Sequence, residues 1–310
     1  MTTDTVPLPT LVPRSGASAR SEGQRPGAQA EGPPSGFFDR PEGRIAYEEA
    51  GPSEGPLVLL VPGLGDLRAE YRFLASRLNA AGYRTVAMDL RGHGESSIQW
   101  SDYSAPALGA DIVALLRHLG AGPAYLVGTS MGAGAVAWAA AEAPELSRGL
   151  VLLGPFVRDT PPTMPFQQAV LKVLFARPWG PAAWGRYYTS LYPGARPEDL
   201  DDYVTRLKAN LREPGRLEAA KAMIFASKAK VEERLGEVRT PVLVVMGSKD
   251  PDFGKQGAEA EARWVAERLH GTVRMIDGAG HYPHAEMPGP AGDAILQFLG
   301  ELERTQEASP

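Results

Sequence analysis

From Gly36 onward the chain alternates short runs of apolar or β-branched residues with longer stretches whose apolar positions recur at helical spacing. Leu57 to Val61 is apolar at every position, the pattern of a strand covered on both faces. Thr85 to Met88, Tyr125 to Val127, Gly149 to Leu153, Val242 to Met246 and Thr272 to Ile276 are read as strands of the same kind. Helices are predicted between them, over residues 70–81, 107–119, 132–143, 257–269 and 291–302. Ahead of the first buried strand, Phe37-Phe38 and Arg44 to Glu48 flank Pro41-Glu42-Gly43, a hairpin signal. Strand followed by helix over most of the length predicts an α/β fold with a mainly parallel, doubly wound sheet.

The alternation breaks between Phe156 and about Val238, where no buried strand is predicted. That stretch holds Pro-punctuated helical pieces rich in aromatic residues. An insertion of this kind after the sixth strand reads as a helical cap above the carboxyl ends of the strands. The core is then 36–155 with 239–303, the cap 156–238. Residues 1–35, crowded with Pro, Gly, Ser, Ala and Gln and without periodicity, read as a disordered tail. Residues 304–310 read as a flexible C-terminus.

Composition narrows the chemistry. The 310 residues are 43% hydrophobic and 22% charged, as in an ordinary globular protein. No cysteine is present, so thiolate nucleophiles, disulfides and cysteine-ligated zinc are excluded. Lys and Arg number 32 against 37 Asp and Glu, a net charge of −5 that offers no footprint for a phosphate backbone. Nucleic acid is not an expected partner. No apolar run is long enough to span a bilayer and no secretory signal is seen, so a cytoplasmic location is expected. The five histidines lack ligand spacing, and neither a metal nor a cofactor is expected.

Reactive chemistry enters at Gly128-Thr129-Ser130-Met131-Gly132, which follows a predicted strand directly and opens a helix of small residues. A G-x-S-x-G match alone is weak; the strand before and helix after are the context a nucleophile elbow requires. In such a turn Ser130 is strained, and only glycine at 128 and 132 avoids collision with backbone. The turn also places the Met131 N–H at a helix N-terminus, where an oxyanion would form. An elbow predicts an acid and then a histidine after later strands, and both follow. Asp250 lies in the loop after Val242 to Met246, and His281 in the loop after Thr272 to Ile276. Asp252 is the alternative acid. His284 is read as a surface loop residue, His93 as a partner of its own glycine-rich loop, and His118 and His270 as solvent-facing. Lys228, Lys230, Glu232, Glu233 and Arg234 are read as a solvated helix face.

From Gly36 to about Leu302 the sequence resembles the α/β-hydrolase fold family, serine hydrolase type, with features of its esterase and lysophospholipase-like branch. The resemblance rests on the elbow, on Asp89-Leu90-Arg91-Gly92-His93-Gly94-Glu95-Ser96, on Pro62-Gly63-Leu64-Gly65-Asp66, on Gly247-x-x-Asp250 and on Gly280-His281-Tyr282-Pro283. Pro62 stands where the family often has histidine. The resemblance assigns an oxyanion donor to the backbone N–H of Leu64, beside that of Met131. Its spacing from Gly247 favours Asp250 over Asp252.

What the resemblance implies is acyl transfer on a small-molecule substrate: Ser130 attacks, His281 takes its proton, Asp250 orients His281, and water releases the acyl group. An unperturbed imidazole base places the acid limb of activity at roughly pH 6 to 7. A serine at the elbow argues against the family's dehalogenases and epoxide hydrolases, which use a carboxylate. Ester hydrolysis of a small or medium apolar substrate is the first reading. Carbon–carbon bond hydrolysis, or a lyase or cyclase step in natural-product biosynthesis, is the alternative on the same site. A ligand-binding protein without turnover is a third class, against which the complete Ser130, Asp250, His281 set weighs. Trp184, Tyr187 and Tyr188 of the cap are the expected substrate contacts. Oligomeric state is not legible.

Overall fold

A computed structural model describes residues 35–159 and 175–307, together with Met1 and Val173. The expected tail, save for Met1 and Ser35, lies outside the described residues, as do 160–172 of the expected cap and the last three residues. Ser35 is not tail: it opens strand β1 (Ser35–Arg40) and pairs with Glu48 of β2 (Gly43–Ala50). β3 (Leu57–Val61), β4 (Arg84–Met88), β5 (Ala124–Thr129), β6 (Ser147–Leu153), β7 (Val242–Gly247) and β8 (Thr272–Ile276) complete an eight-stranded sheet in the order β1-β2-β4-β3-β5-β6-β7-β8. β1 and β2 run antiparallel to their neighbours; every later pairing is parallel.

Alternate residues of the central strands feed two separate cores. Leu57, Leu59 and Val61 point to one face with Leu126, Leu150, Leu152, Val242 and Val244. Val58 and Leu60 point to the other with Tyr125, Val127, Val151, Leu153 and Val245. Helices α2 (Ala105–Leu119), α3 (Met131–Glu142) and the later α8 (Gly254–Arg268) cover the first face. Helices α1 (Arg72–Ala80) and α10 (Pro288–Glu307) cover the second, the one-turn α9 (Pro283–Glu286) directly preceding α10. Because both faces are covered, the strands carry no polar alternation.

One strand departs from this rule. β8 stands at the sheet edge with Thr272 and Arg274 exposed, so it is half-buried and not covered on both faces as its sequence suggested. The C-terminus also differs from expectation: α10 continues to Glu307, because its register still allows i,i+4 bonds such as Thr305 Oγ1 to the Glu301 carbonyl. It starts early as well, since Pro288 and Pro290 occupy a first turn that needs no N–H acceptor.

Between β6 and β7 the described residues are helical: α4 (Gly180–Ser190), α5 (Leu200–Arg212), α6 (Arg216–Phe225) and α7 (Ala229–Arg234). Tyr188, Leu191, Tyr192, Leu200, Tyr203 and Leu207 form an apolar cluster that closes on Tyr282 of the loop after β8.

Candidate active site

The chain order turns from one side of the sheet to the other between β3 and its two neighbours, β4 and β5. Loops leaving the carboxyl ends of strands on either side of such a switch point diverge and leave a crevice. Leu64 follows β3 and Ser130 follows β5, so both stand at this crevice.

Ser130 has φ 54° and ψ −117°, a conformation L-residues rarely adopt. The surroundings over-determine it. Its N–H donates to the Leu153 carbonyl at 2.8 Å, and its carbonyl accepts from Ala133 and Phe156, each at 3.1 Å. A Cβ at position 128 would lie 2.5 Å from the Gly132 carbonyl oxygen, and one at 132 would lie 2.4 Å from those of Val61 and Pro62. Both glycines of the motif are therefore demanded by backbone contact. Met131 is the first residue of α3, so no preceding turn of helix accepts from its N–H.

On the other wall, the amides flanking Leu64 are engaged. Gly63 N–H donates to Glu70 Oε2 at 3.1 Å, and Gly65 N–H donates to His93 Nε2 at 3.0 Å. The Leu64 N–H between them enters no hydrogen bond among the described residues. To accept from Gly65, His93 must carry its proton on Nδ1, which then donates to the Arg91 carbonyl at 3.0 Å. Burial pushes the His93 pKa down to about 4, which keeps it neutral. His93 thus reaches beyond its own loop to hold the Leu64 loop in place.

His281 is 2% exposed, and its Nδ1 lies 2.7 Å from Asp250 Oδ2. Asp252 stands off at 3.9 Å from the same nitrogen. The Asp252 carboxylate instead accepts from the Tyr187 hydroxyl at 2.8 Å, and the Asp252 N–H donates to Asp250 Oδ1 at 3.0 Å. Of the two candidate acids, Asp250 is the one that bonds the imidazole. Burial opposes a charged His281, but the Asp250 charge and hydrogen bond, with Asp252 and Glu70 adding to them, outweigh it and raise the pKa to about 9. His281 is thus a stronger base than an unperturbed imidazole. Oxygen and nitrogen donors of Asp250, Asp252 and His281 lie within 4.8 Å of one another, a spacing a metal ion could use. Here the proton between His281 Nδ1 and Asp250 occupies the lone pair that a metal would need.

Ser130, Met131, Leu64 and His281 line one cavity of about 700 Å³, large enough for a medium-sized organic molecule. Phe156, Phe175, Trp184, Tyr187, Met223 and Ile224 supply its apolar wall. Trp184 and Tyr187, two of the three expected substrate contacts, line this cavity. Tyr188 does not: it is wholly buried among Tyr192, Tyr203 and Tyr282, one helical face away from the cavity. His284 is also corrected, from surface loop to fully buried, stacked on Tyr71 with Nε2 3.1 Å from Glu70 Oε1. Lys228 is corrected too: it is half-buried and lines the cavity, and of its charged cluster Lys230 and Glu233 are exposed while Glu232 and Arg234 are half-buried, Arg234 pairing with Glu142.

Several residues of this site were given no role by the sequence. Glu70 and Asp66 are buried carboxyl groups under the Leu64 loop; burial raises Glu70 to about 7 and Asp66 well above the carboxylate range. Asp66 accepts from the Tyr203 hydroxyl of α5, and Trp184 Nε1 of α4 donates to the Gly65 carbonyl at 3.2 Å. The helices after β6 are thereby tied to the loop that carries Leu64. His281 N–H donates to the Leu191 carbonyl at 3.0 Å, which ties them to the histidine loop as well.

The sequence profile described as "alpha/beta hydrolase fold" matches residues 56–288. The chain belongs to this family. It is 38% identical over 268 residues to the 2-(acetamidomethylene)succinate hydrolase of Mesorhizobium japonicum, covering 83% of this chain and 92% of that one. It is 27% identical over 320 residues to epoxide hydrolase A of Mycobacterium tuberculosis, covering 84% and 95%. Among solved structures, an esterase from a Rhodococcus species superposes with a TM-score of 0.70 at 24% identity, covering 84% of this chain and 96% of that one. Within the α/β-hydrolase fold family this protein is a hydrolase, as the curated relatives are named.

Proposed function

We propose that the protein is a serine hydrolase that cleaves a carboxylic ester, or a related acyl bond, of a small or medium substrate through an acyl-enzyme. The observation that carries this reading is Ser130: a serine in left-handed backbone at the start of α3, sharing a cavity with a histidine whose far nitrogen is bonded to a buried carboxylate.

Ser130 is a weak nucleophile by itself. With Nδ1–H donated to Asp250, the His281 Nε2 lone pair is free to take the Ser130 proton as the hydroxyl attacks a carbonyl carbon. The tetrahedral oxyanion is received by the Leu64 and Met131 amides, each contributing on the order of 3 kcal/mol in comparable sites. Asp250 stabilises the imidazolium, which protonates the leaving alcohol; water then gives a proton to His281 as its oxygen attacks the acyl carbon, and that proton returns to the Ser130 oxygen as the acid leaves. Serine at the elbow separates this chain from carboxylate-nucleophile branches of the family, despite its similarity to an epoxide hydrolase. The helices between β6 and β7 act as a cap that shapes the acyl pocket.

The deciding experiment is labelling with a fluorophosphonate probe followed by peptide mapping, alongside hydrolysis of p-nitrophenyl esters. Labelling on Ser130, and loss of both labelling and turnover in Ser130→Ala, is the expected result. Turnover in Ser130→Ala within about tenfold of wild type overturns the reading.

A further inference from the structure

Away from Ser130, His281 and the Tyr187–Asp252 pair, the polar part of the cavity wall is where Arg158, Asp159, Ser227 and Lys228 meet. Three of these are spoken for. The Arg158 guanidinium is held in a two-pronged bond to Glu261 and lies over Trp264. The Asp159 carboxylate accepts from the Ser227 hydroxyl at 2.6 Å and from the Lys228 N–H at 2.9 Å. The Lys228 ammonium, by contrast, makes no ion pair among the described residues. It is half-buried, and its desolvation lowers its pKa, a cost that a bound anion would relieve.

Resting on the reading of Ser130 as nucleophile, we propose that Lys228 is an anion subsite and that the substrate is an acyl ester whose acyl chain ends in a carboxylate. One compact ammonium suits a single carboxylate and not a phosphate dianion, since the Asp159 charge felt at Lys228 would repel a second negative charge. Phe156 and Phe225 line the same cavity and offer apolar rings to the methylenes of such a chain.

The test compares mono-4-nitrophenyl adipate with 4-nitrophenyl hexanoate, equal in carbon count and leaving group and differing in the terminal carboxylate. Wild type is expected to prefer the adipate ester by about tenfold in kcat/KM, with the preference shrinking as salt is raised. Lys228→Met should lower that ratio at least about tenfold, and Lys228→Arg should hold it within about threefold. Binding of adipate itself to the Ser130→Ala protein, followed by calorimetry, should be lost in the double variant with Lys228→Met. A wild-type ratio at or below one, or a ratio that Lys228→Met leaves unmoved, overturns the subsite while hexanoate turnover leaves the hydrolase reading intact. Adipate binding that depends on Lys228 in a protein whose Ser130→Ala variant still turns over overturns the reading of Ser130 as nucleophile and leaves the subsite standing.

Discussion

At Ser130 and His281 the local environment sets both geometry and proton affinity. Asp250 bonds His281 Nδ1 while Asp252 is occupied by Tyr187, so the two acids are not interchangeable. Asp250→Asn is expected to reduce kcat at least about a hundredfold, and Asp252→Asn by less than about tenfold, in steady-state kinetics. The pH dependence has a definite sign. His281 must be neutral to act as base, and Asp250, Asp252 and Glu70 hold its proton more tightly than in a free imidazole. In wild type, kcat/KM should therefore rise with pH along a limb centred above 7. In Asp250→Asn burial becomes the dominant influence, and the residual limb should move to lower pH. A wild-type limb centred below 6 would count against this picture.

At the scale of elements, α4 does three jobs with three aromatic residues. Trp184 lines the cavity and bonds the Gly65 carbonyl, Tyr187 lines the cavity and bonds Asp252, and Tyr188 packs inward. Different outcomes follow from substituting each. Tyr188→Ala should cost about 3 to 5 kcal/mol of stability in denaturant melts, with little change in substrate preference per folded molecule. Met223→Ala, which enlarges the acyl wall, should change the long-chain to short-chain ratio of kcat/KM by about tenfold or more. Trp184→Phe retains most of the bulk but loses the bond to the loop bearing Leu64. It should lower kcat even on p-nitrophenyl acetate, which hardly touches the cap. The helices between β6 and β7 thus do more than line the cavity: α4 and α5 also brace the loop bearing Leu64 through Gly65 and Asp66. A spacing of three or four along α4 is visible in sequence, but which of its aromatic residues meets a loop 119 residues earlier is not.

Over the whole molecule, buried titratable groups beneath the site make stability depend on pH. Burial depresses His284 from 6.5 to about 3, so the folded protein excludes a proton that the unfolded chain binds. Its contribution is present above pH 6.5 and lost as pH falls toward 3. Glu70, raised to about 7, works in the other direction: its contribution is full below 4.5 and lost as pH rises through 7. Replacing His284 by Gln should therefore lessen the fall of Tm between pH 6.5 and 4 relative to wild type, measured by differential scanning calorimetry. An unchanged slope would exclude His284 as a source of acid sensitivity. The sequence by itself determined the parallel sheet, because strands covered on both faces must be apolar throughout, and it determined Ser130, Asp250 and His281 as candidates, because an elbow and two strand-end loops have local signatures. Glycine at 128 is required by the turn's own backbone at Gly132, whereas glycine at 132 is required by the Val61 and Pro62 carbonyls at the end of β3. Only the tertiary structure decided that Asp250 and not Asp252 bonds His281, that His284 and Glu70 are buried together, that Tyr188 is core, and that Lys228 faces the cavity. Each of those depends on which distant segments pack against one residue, and burial, hydrogen bonding and charge are set by those neighbours rather than by position along the chain.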